Sequence, residues 1–203
     1  SGRRRRSRRR RRQSPDGRRD ARLGEPAPRL GHCQRCWLWA DLFAQRDAVD
    51  HDPELLYVAS VLHDLALTDA HRPGGADRAA CFAVHGGDVA RGALLERGAA
   101  EGFAERVAEA ITLHMNVRVP RALGAEAHLL HAAAHLDVAG SRVADLPTAS
   151  IRAVLDAHPR DGFAAQFRQL MRREAAERPR SRAALLWRVG MRLPLAHNPL
   201  DRT

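Results

Sequence analysis

From Leu30 onward the apolar residues of this chain recur every three or four positions, in blocks closed by glycine or proline. That period paints one stripe along an α-helix, and no alternating strand pattern competes with it, so the chain can bury its apolar surface only by packing helices together. Composition agrees. The 44% hydrophobic share is mostly Ala, Leu and Val, with 5 Phe, 3 Trp and 1 Tyr, which suits close helix packing better than a β-rich core. An all-α fold is expected. Trp37, Leu38, Leu42 and Phe43 are spaced to cover one face of a first helix. Asp52 and Pro53 mark the start of a second, which carries ELLYVASVLHDLAL and is ended by the turn residues of DAHRPGGAD. Further helices are predicted over about 77–98, 102–115, 125–145, 148–158, 160–177 and 180–191, with no internal repeat.

Charge divides the chain in two. All 34 basic residues are Arg, and residues 1–31 hold 13 of them against Asp16, Asp20 and Glu25, so the net charge of +10 resides there and the remainder is neutral. The sequence pI of about 11.2 therefore says nothing of nucleic-acid affinity in the helical part. Residues 1–27 run from RRRRSRRRRRR into a Gly-, Pro- and Asp-rich stretch with almost nothing to bury, and are expected to be a disordered tail with at most weak polyanion binding. Residues 28–203 form the one expected domain.

Three cysteines, Cys33, Cys36 and Cys81, are too few and too irregular for a secreted disulfide framework, so a reducing, cytoplasmic location is expected. No stretch approaches the roughly 20 apolar residues of a membrane span, and the expectation is a soluble protein without membrane contact. Oligomeric state is not legible.

His63 and Asp64 stand side by side at the end of the otherwise apolar second helix. A buried imidazole and a buried carboxylate are costly unless partnered, and a shared divalent cation satisfies both. A polar pair closing a helix end would be the better explanation if they stood alone. They do not: His32 lies upstream near the start of the first helix, and Asp137 lies downstream within the apolar helix HLLHAAAHLDVAG.

The order H…HD…D resembles the HD superfamily of metal-dependent phosphohydrolases. Further motifs are similar to its cyanamide hydratase-like subgroup: GHCQRCWLWADLFA, ELLYVASVLHDLALT, CFAVHGGDVAR, AEAITLHMN and LLHAAAHLDVAG, with HPRDGFAAQFRQLMRREAAERP at the end. The resemblance runs from about residue 28 onward and implies an HD-domain helical bundle. It also implies one divalent metal held by His32, His63, Asp64 and Asp137, with Asp64 and His114 as the catalytic candidates. A cation on such ligands lowers the pKa of a bound water, and that water would attack phosphorus in a phosphohydrolase or a nitrile carbon in a hydratase. His114, in ITLHMN, would orient substrate or water, or bind a second metal, with Asn116 a weaker neighbour. His85 departs from the subgroup's pattern; were it to turn inward with His114, the arrangement would resemble dinuclear HD phosphohydrolases. Zinc, iron, manganese, cobalt and nickel all suit His/Asp ligands.

Other polar residues receive structural readings. His128, His131 and His135 fall on the side of their helix away from Asp137 and are expected in packing or surface roles, although 131 and 135 have the H-x3-H step of zinc sites. His51, His71, His158 and His197 are expected at the surface. Cys33 and Cys36 form a single CxxC without a second pair and read as helix-packing thiols. Arg35, one turn after His32, reads as a surface ion pair before an anion-binding residue, and Asp69 and Asp88 as helix caps or substrate contacts. The leading expectation is thus a metal-dependent hydrolase or hydro-lyase acting on a small molecule. The alternative is a polyanion-binding protein working through its Arg-rich tail, with a non-catalytic helical domain.

Overall fold

The structure, a computed structural model, describes residues 27–74 and 81–202, with side chains from Gly31 onward. The expected disordered tail lies outside the described residues save its last position. Among those residues all regular structure is helical, as the apolar period requires. The helices are α1 (Ala27–Asp47), α2 (Pro53–Leu62), α3 (Phe82–Glu96), α4 (Glu101–Leu113), α5 (Ala125–Ala139), α6 (Thr148–Ala157), α7 (Phe163–Glu177), α8 (Arg182–Leu186) and α9 (Arg192–Ala196). A π-helical turn, Trp187–Met191, runs α8 into α9, so the last helix extends beyond the expected residue 191. No described helix is long and apolar enough to cross a membrane.

Local chemistry explains two of the boundaries. Asp52 caps α2 by accepting hydrogen bonds from the backbone N–H groups of Glu54 and Leu55, and Pro53 stands in the first turn, where a missing N–H costs nothing. α5 stops at Ala139, short of the expected 145, because Gly140 adopts a left-handed φ of 71° and its N–H donates the closing hydrogen bond to Leu136 O. A Cβ at Gly140 would also strike the ring of Pro199.

Three apolar clusters hold the bundle. One joins α1, α5 and α6 around Trp39, Phe43 and Leu129; a second joins α2, α4 and α5 around Leu55, Ile111 and Leu130. The third, around Phe82, Phe163, Phe167 and Trp187, seats α7 and the last helix against the end of α5. α3 and α4 approach closely at Gly87, where a Cβ would meet Ala108 O at 2.7 Å, so only glycine fits that crossing. The expected face of α1 is rotated. Its buried stripe is His32, Arg35, Cys36, Trp39, Ala40 and Phe43, whereas Trp37 and Leu38 are only partly buried and Trp37 meets Tyr57 edge-on.

Candidate metal centre

Three histidines converge between the helices, and each is oriented the same way. His63 caps the end of α2, and its Nδ1 lies 2.8 Å from the carbonyl of Ser60; His114 caps the end of α4, with Nδ1 2.5 Å from the carbonyl of Ile111. The last carbonyls of a helix lack intrahelical donors, so each ring N–H satisfies one of them. His32, on α1, directs Nδ1 at Asp137 Oδ2, 2.7 Å away. Carbonyl and carboxylate oxygens only accept, so Nδ1 carries the proton in all three rings, and each Nε2 presents a lone pair.

Those lone pairs meet. His32 Nε2 and His63 Nε2 lie 3.2 Å apart, and the Asp64 carboxylate places Oδ2 3.6 Å from His32 Nε2 and Oδ1 3.6 Å from His63 Nε2. His63, Asp64 and His114 likewise bring their ligand atoms within 4.8 Å of one another. Two imidazole acceptors facing each other across 3.2 Å repel unless a proton or cation is shared between them. Metal–nitrogen bonds of about 2.0–2.1 Å separate neighbouring ligand atoms by roughly 3.0–3.5 Å, close to the spacings present. All four side chains are buried, at 1–3% exposure. Burial pushes His63 down and, with the neighbouring His63 ring, pushes His114 down to about 3, so these two nitrogens are available to a metal at neutral pH. The buried His/Asp group can therefore hold a metal ion.

Asp137 takes a different place from the one expected of it. Its Oδ1 accepts from Arg35 Nε at 2.8 Å and Trp39 Nε1 at 2.9 Å and lies 3.2 Å from Arg160 Nη1; its Oδ2 accepts from Arg35 Nη2 and His32 Nδ1. Burial alone would raise this carboxyl, but the hydrogen bonds from His32 and Arg35 and the guanidinium charge outweigh it and hold it well below the usual carboxylate range. With both oxygens engaged by N–H donors, Asp137 acts on the cluster through His32, fixing its tautomer and ring orientation as carboxylates do behind metal-bound histidines. The backbone carbonyl of Asp137 is held in turn by Arg160 Nη1 and Asn198 Nδ2.

Cys36 also adjoins the cluster: its ligand atom lies within 4.8 Å of those of His32 and His63, but its Sγ is 3.7 Å from both ring nitrogens of His32, off the line of the Nε2 lone pair. Burial pushes its thiol well above the ordinary range, so it packs as a neutral group.

A cavity of about 320 Å³ opens from the cluster. His32, His63, Asp64 and His114 line its polar end; Phe82, Met115, Val138, Phe167, Leu186 and Met191 supply apolar wall. The π turn contributes Gly190 and Met191, and such turns commonly re-aim helix residues at functional sites.

The remaining expectations divide. Asn116 is tied to Arg182 rather than to the cluster. His85 is only partly buried and lies outside the cavity lining and the two ligand groups. His128 and His131 bond to the carbonyls of Val119 and His114, away from the cluster as expected, but His135 lines the cavity wall. Asp69 is exposed in an ion pair with Arg173, and Asp88 is exposed. Arg35, read as a surface residue, is fully buried. Sequence reasoning passed over Trp39 and Arg160; the i, i+3, i+7 spacing of His32, Arg35 and Trp39 was the available signal for the first. The chain matches no protein-family model and no curated protein.

Proposed function

We propose that this chain is a metal-dependent enzyme of HD type that activates water to hydrolyse or hydrate a small molecule. One observation carries the reading: His32, His63 and His114 each have Nδ1 held by an acceptor, so that their Nε2 lone pairs converge with Asp64 at the end of a cavity. The order of these residues along the chain, resembling H…HD…D, supports it. His32, His63 and Asp64 would hold the divalent ion, whether zinc, iron, manganese, cobalt or nickel. When bound, such an ion supplies Lewis acidity that brings the ionisation of a coordinated water toward neutral pH.

The chain's own residues do the rest. Asp137 holds His32 in the tautomer that leaves Nε2 unprotonated, and Arg35 and Trp39 hold Asp137. His114, across the cluster from His32, is placed to orient water or substrate, or to take a second metal with His63 and Asp64. Apolar side chains form most of the wall around the polar end.

The test is elemental analysis of the purified protein beside His63→Ala, followed by assay of the metal-loaded form on a phosphoester panel and on cyanamide. Near-stoichiometric metal in the parent and its loss in the variant are expected, with turnover of one substrate class. A parent that holds no metal even after reconstitution would overturn the proposal and favour a polyanion-binding role for the Arg-rich tail.

A further inference from the structure

The charge and shape of the cavity bear on what it accepts. Asp64 is the one formally charged side chain among the described residues lining it; the rest are imidazoles, apolar groups and Ser141. Two guanidinium groups, Arg35 and Arg160, lie behind the cluster, and Arg118, Arg121 and Arg142 line a neighbouring pocket that shares His135 and Ser141 with the cavity. Arg35 is committed to both oxygens of Asp137 and to Pro159 O, and Arg160 is paired with Asp137 and Asp201.

Backbone dipoles divide: the wall includes Phe82, the first residue of α3, whose N-terminal end is positive, while the metal-binding side presents helix C-termini. His63 and His114 sit at the C-terminal ends of α2 and α4, helices of 10 and 13 residues. Asp137 stands two residues before the end of α5. A helix C-terminus carries roughly half a negative charge, the reverse of the N-terminal ends that bind phosphate. Phosphate monoesters are ordinarily gripped by Arg forks, Lys or backbone N–H groups, and the described lining offers none of the charged donors. Size argues separately against a very small substrate. At roughly 30 Å³ for a water-sized unit, a nitrile of three non-hydrogen atoms would fill less than a third of the 320 Å³. The volume lies at the lower end of ordinary ligand pockets, about 300–1,000 Å³.

We propose that the cavity takes an uncharged molecule with an apolar body, its amide, ester or nitrile carbon directed to the His32–His63–Asp64 end and its body packed on Phe82, Met115, Phe167, Leu186 and Met191. This rests on the reading of the cavity as the substrate site of a metal-dependent enzyme, and it ranks phosphate esters below uncharged molecules as ligands of that cavity. The neutral polar head needs only a lone pair or N–H to meet the cluster, while the apolar body supplies affinity by leaving water.

The test compares three probes sharing one body, benzamide, benzonitrile and phenyl phosphate, by calorimetric titration and thermal shift on the metal-free and the metal-loaded protein. Benzamide or benzonitrile should bind the metal-free protein at least tenfold more tightly than phenyl phosphate, and should keep that order after metal loading. Met191→Arg, which brings a cation to the rim at the π turn, should weaken the neutral probes and narrow or reverse the preference. Phenyl phosphate bound as tightly as the neutral probes in either form would overturn the proposal, as would the absence of binding by all three. A preserved neutral preference in a protein that elemental analysis finds unable to hold metal would support the cavity's selectivity while sinking the metal-dependent reading, so the two failures are distinct.

Discussion

Replacing Arg35 by methionine tests the claim that Asp137 is a buried, charge-balanced support rather than an outward-facing ligand. Arg35 is fully buried and donates to Asp137 Oδ1 and Oδ2, at 2.8 Å each, and to Pro159 O at 3.0 Å. Removing one partner of a buried ion pair costs about 3–5 kcal/mol, because the other charge is left in a medium that solvates it poorly. Here Trp39, His32 and Arg160 still reach the carboxylate, which places the loss toward the low end, while the stranded Pro159 carbonyl adds about 1 kcal/mol. The expected destabilisation is therefore about 4 kcal/mol. For a domain of this size that corresponds to a fall in Tm of roughly 8–16 °C. Urea unfolding of the metal-free protein, followed by far-UV circular dichroism, measures it directly. Adding Asp137→Leu to Arg35→Met removes the stranded charge and should recover at least half of the loss. An Arg35→Met variant within about 1 kcal/mol of the parent, or a double variant no better than the single one, would refute the reasoning.

Gly87→Ala should destabilise the protein by about 1–3 kcal/mol, since its Cβ would meet Ala108 O at 2.7 Å and Thr112 Oγ1 at 2.6 Å; a urea midpoint unchanged from the parent would count against the α3–α4 crossing described above. In metal-free protein His114 stays neutral in the fold down to about 3 but protonates near 6.5 when unfolded, so the unfolded state binds the extra proton between those values and stability falls as pH drops through 6.5. His114 should account for about 2 kcal/mol of the loss between pH 7.5 and pH 5, with His63, His131 and His135, also held low, adding to it, so His114→Gln should lessen the loss by about that amount without abolishing it. Deleting residues 1–26 should leave metal content and turnover unchanged while removing any steeply salt-dependent binding to a polyanion such as heparin, read by titration at two salt concentrations.

Much of the architecture was legible because it is written locally. The apolar period set the helix content and Asp52 and Pro53 marked the start of α2, whereas the expected helix over 125–145 ran past the glycine that ends α5 after Ala139. The His63–Asp64 pair stood out because two polar groups at the end of an apolar helix are costly without partners; His32 was joined to it by order along the chain, and His114 only by the resemblance of its motif. The face of α1 was read only in part, since Phe43 is core and Leu38 and Leu42 pack at its edge. Trp37 and Leu38 look like core by hydrophobicity, yet the helix is turned so that His32, Arg35 and Trp39 face α5, because a buried Asp137 requires donors more strictly than an apolar side chain requires burial.

By itself, then, the sequence determined the helices, their principal caps and the residue types able to hold a cation, since these depend on neighbours within a few positions. Tertiary packing alone decided which oxygen or nitrogen each group meets. Asp137 supports His32 because Arg35, Trp39 and Arg160 converge on it from α1 and the segment before α7. The cavity has apolar walls because α3, α5, α7 and the π turn bring distant side chains to one space. Hydrogen-bond partners and enclosed volumes arise from the relative placement of whole helices, and no local pattern along the chain encodes that placement.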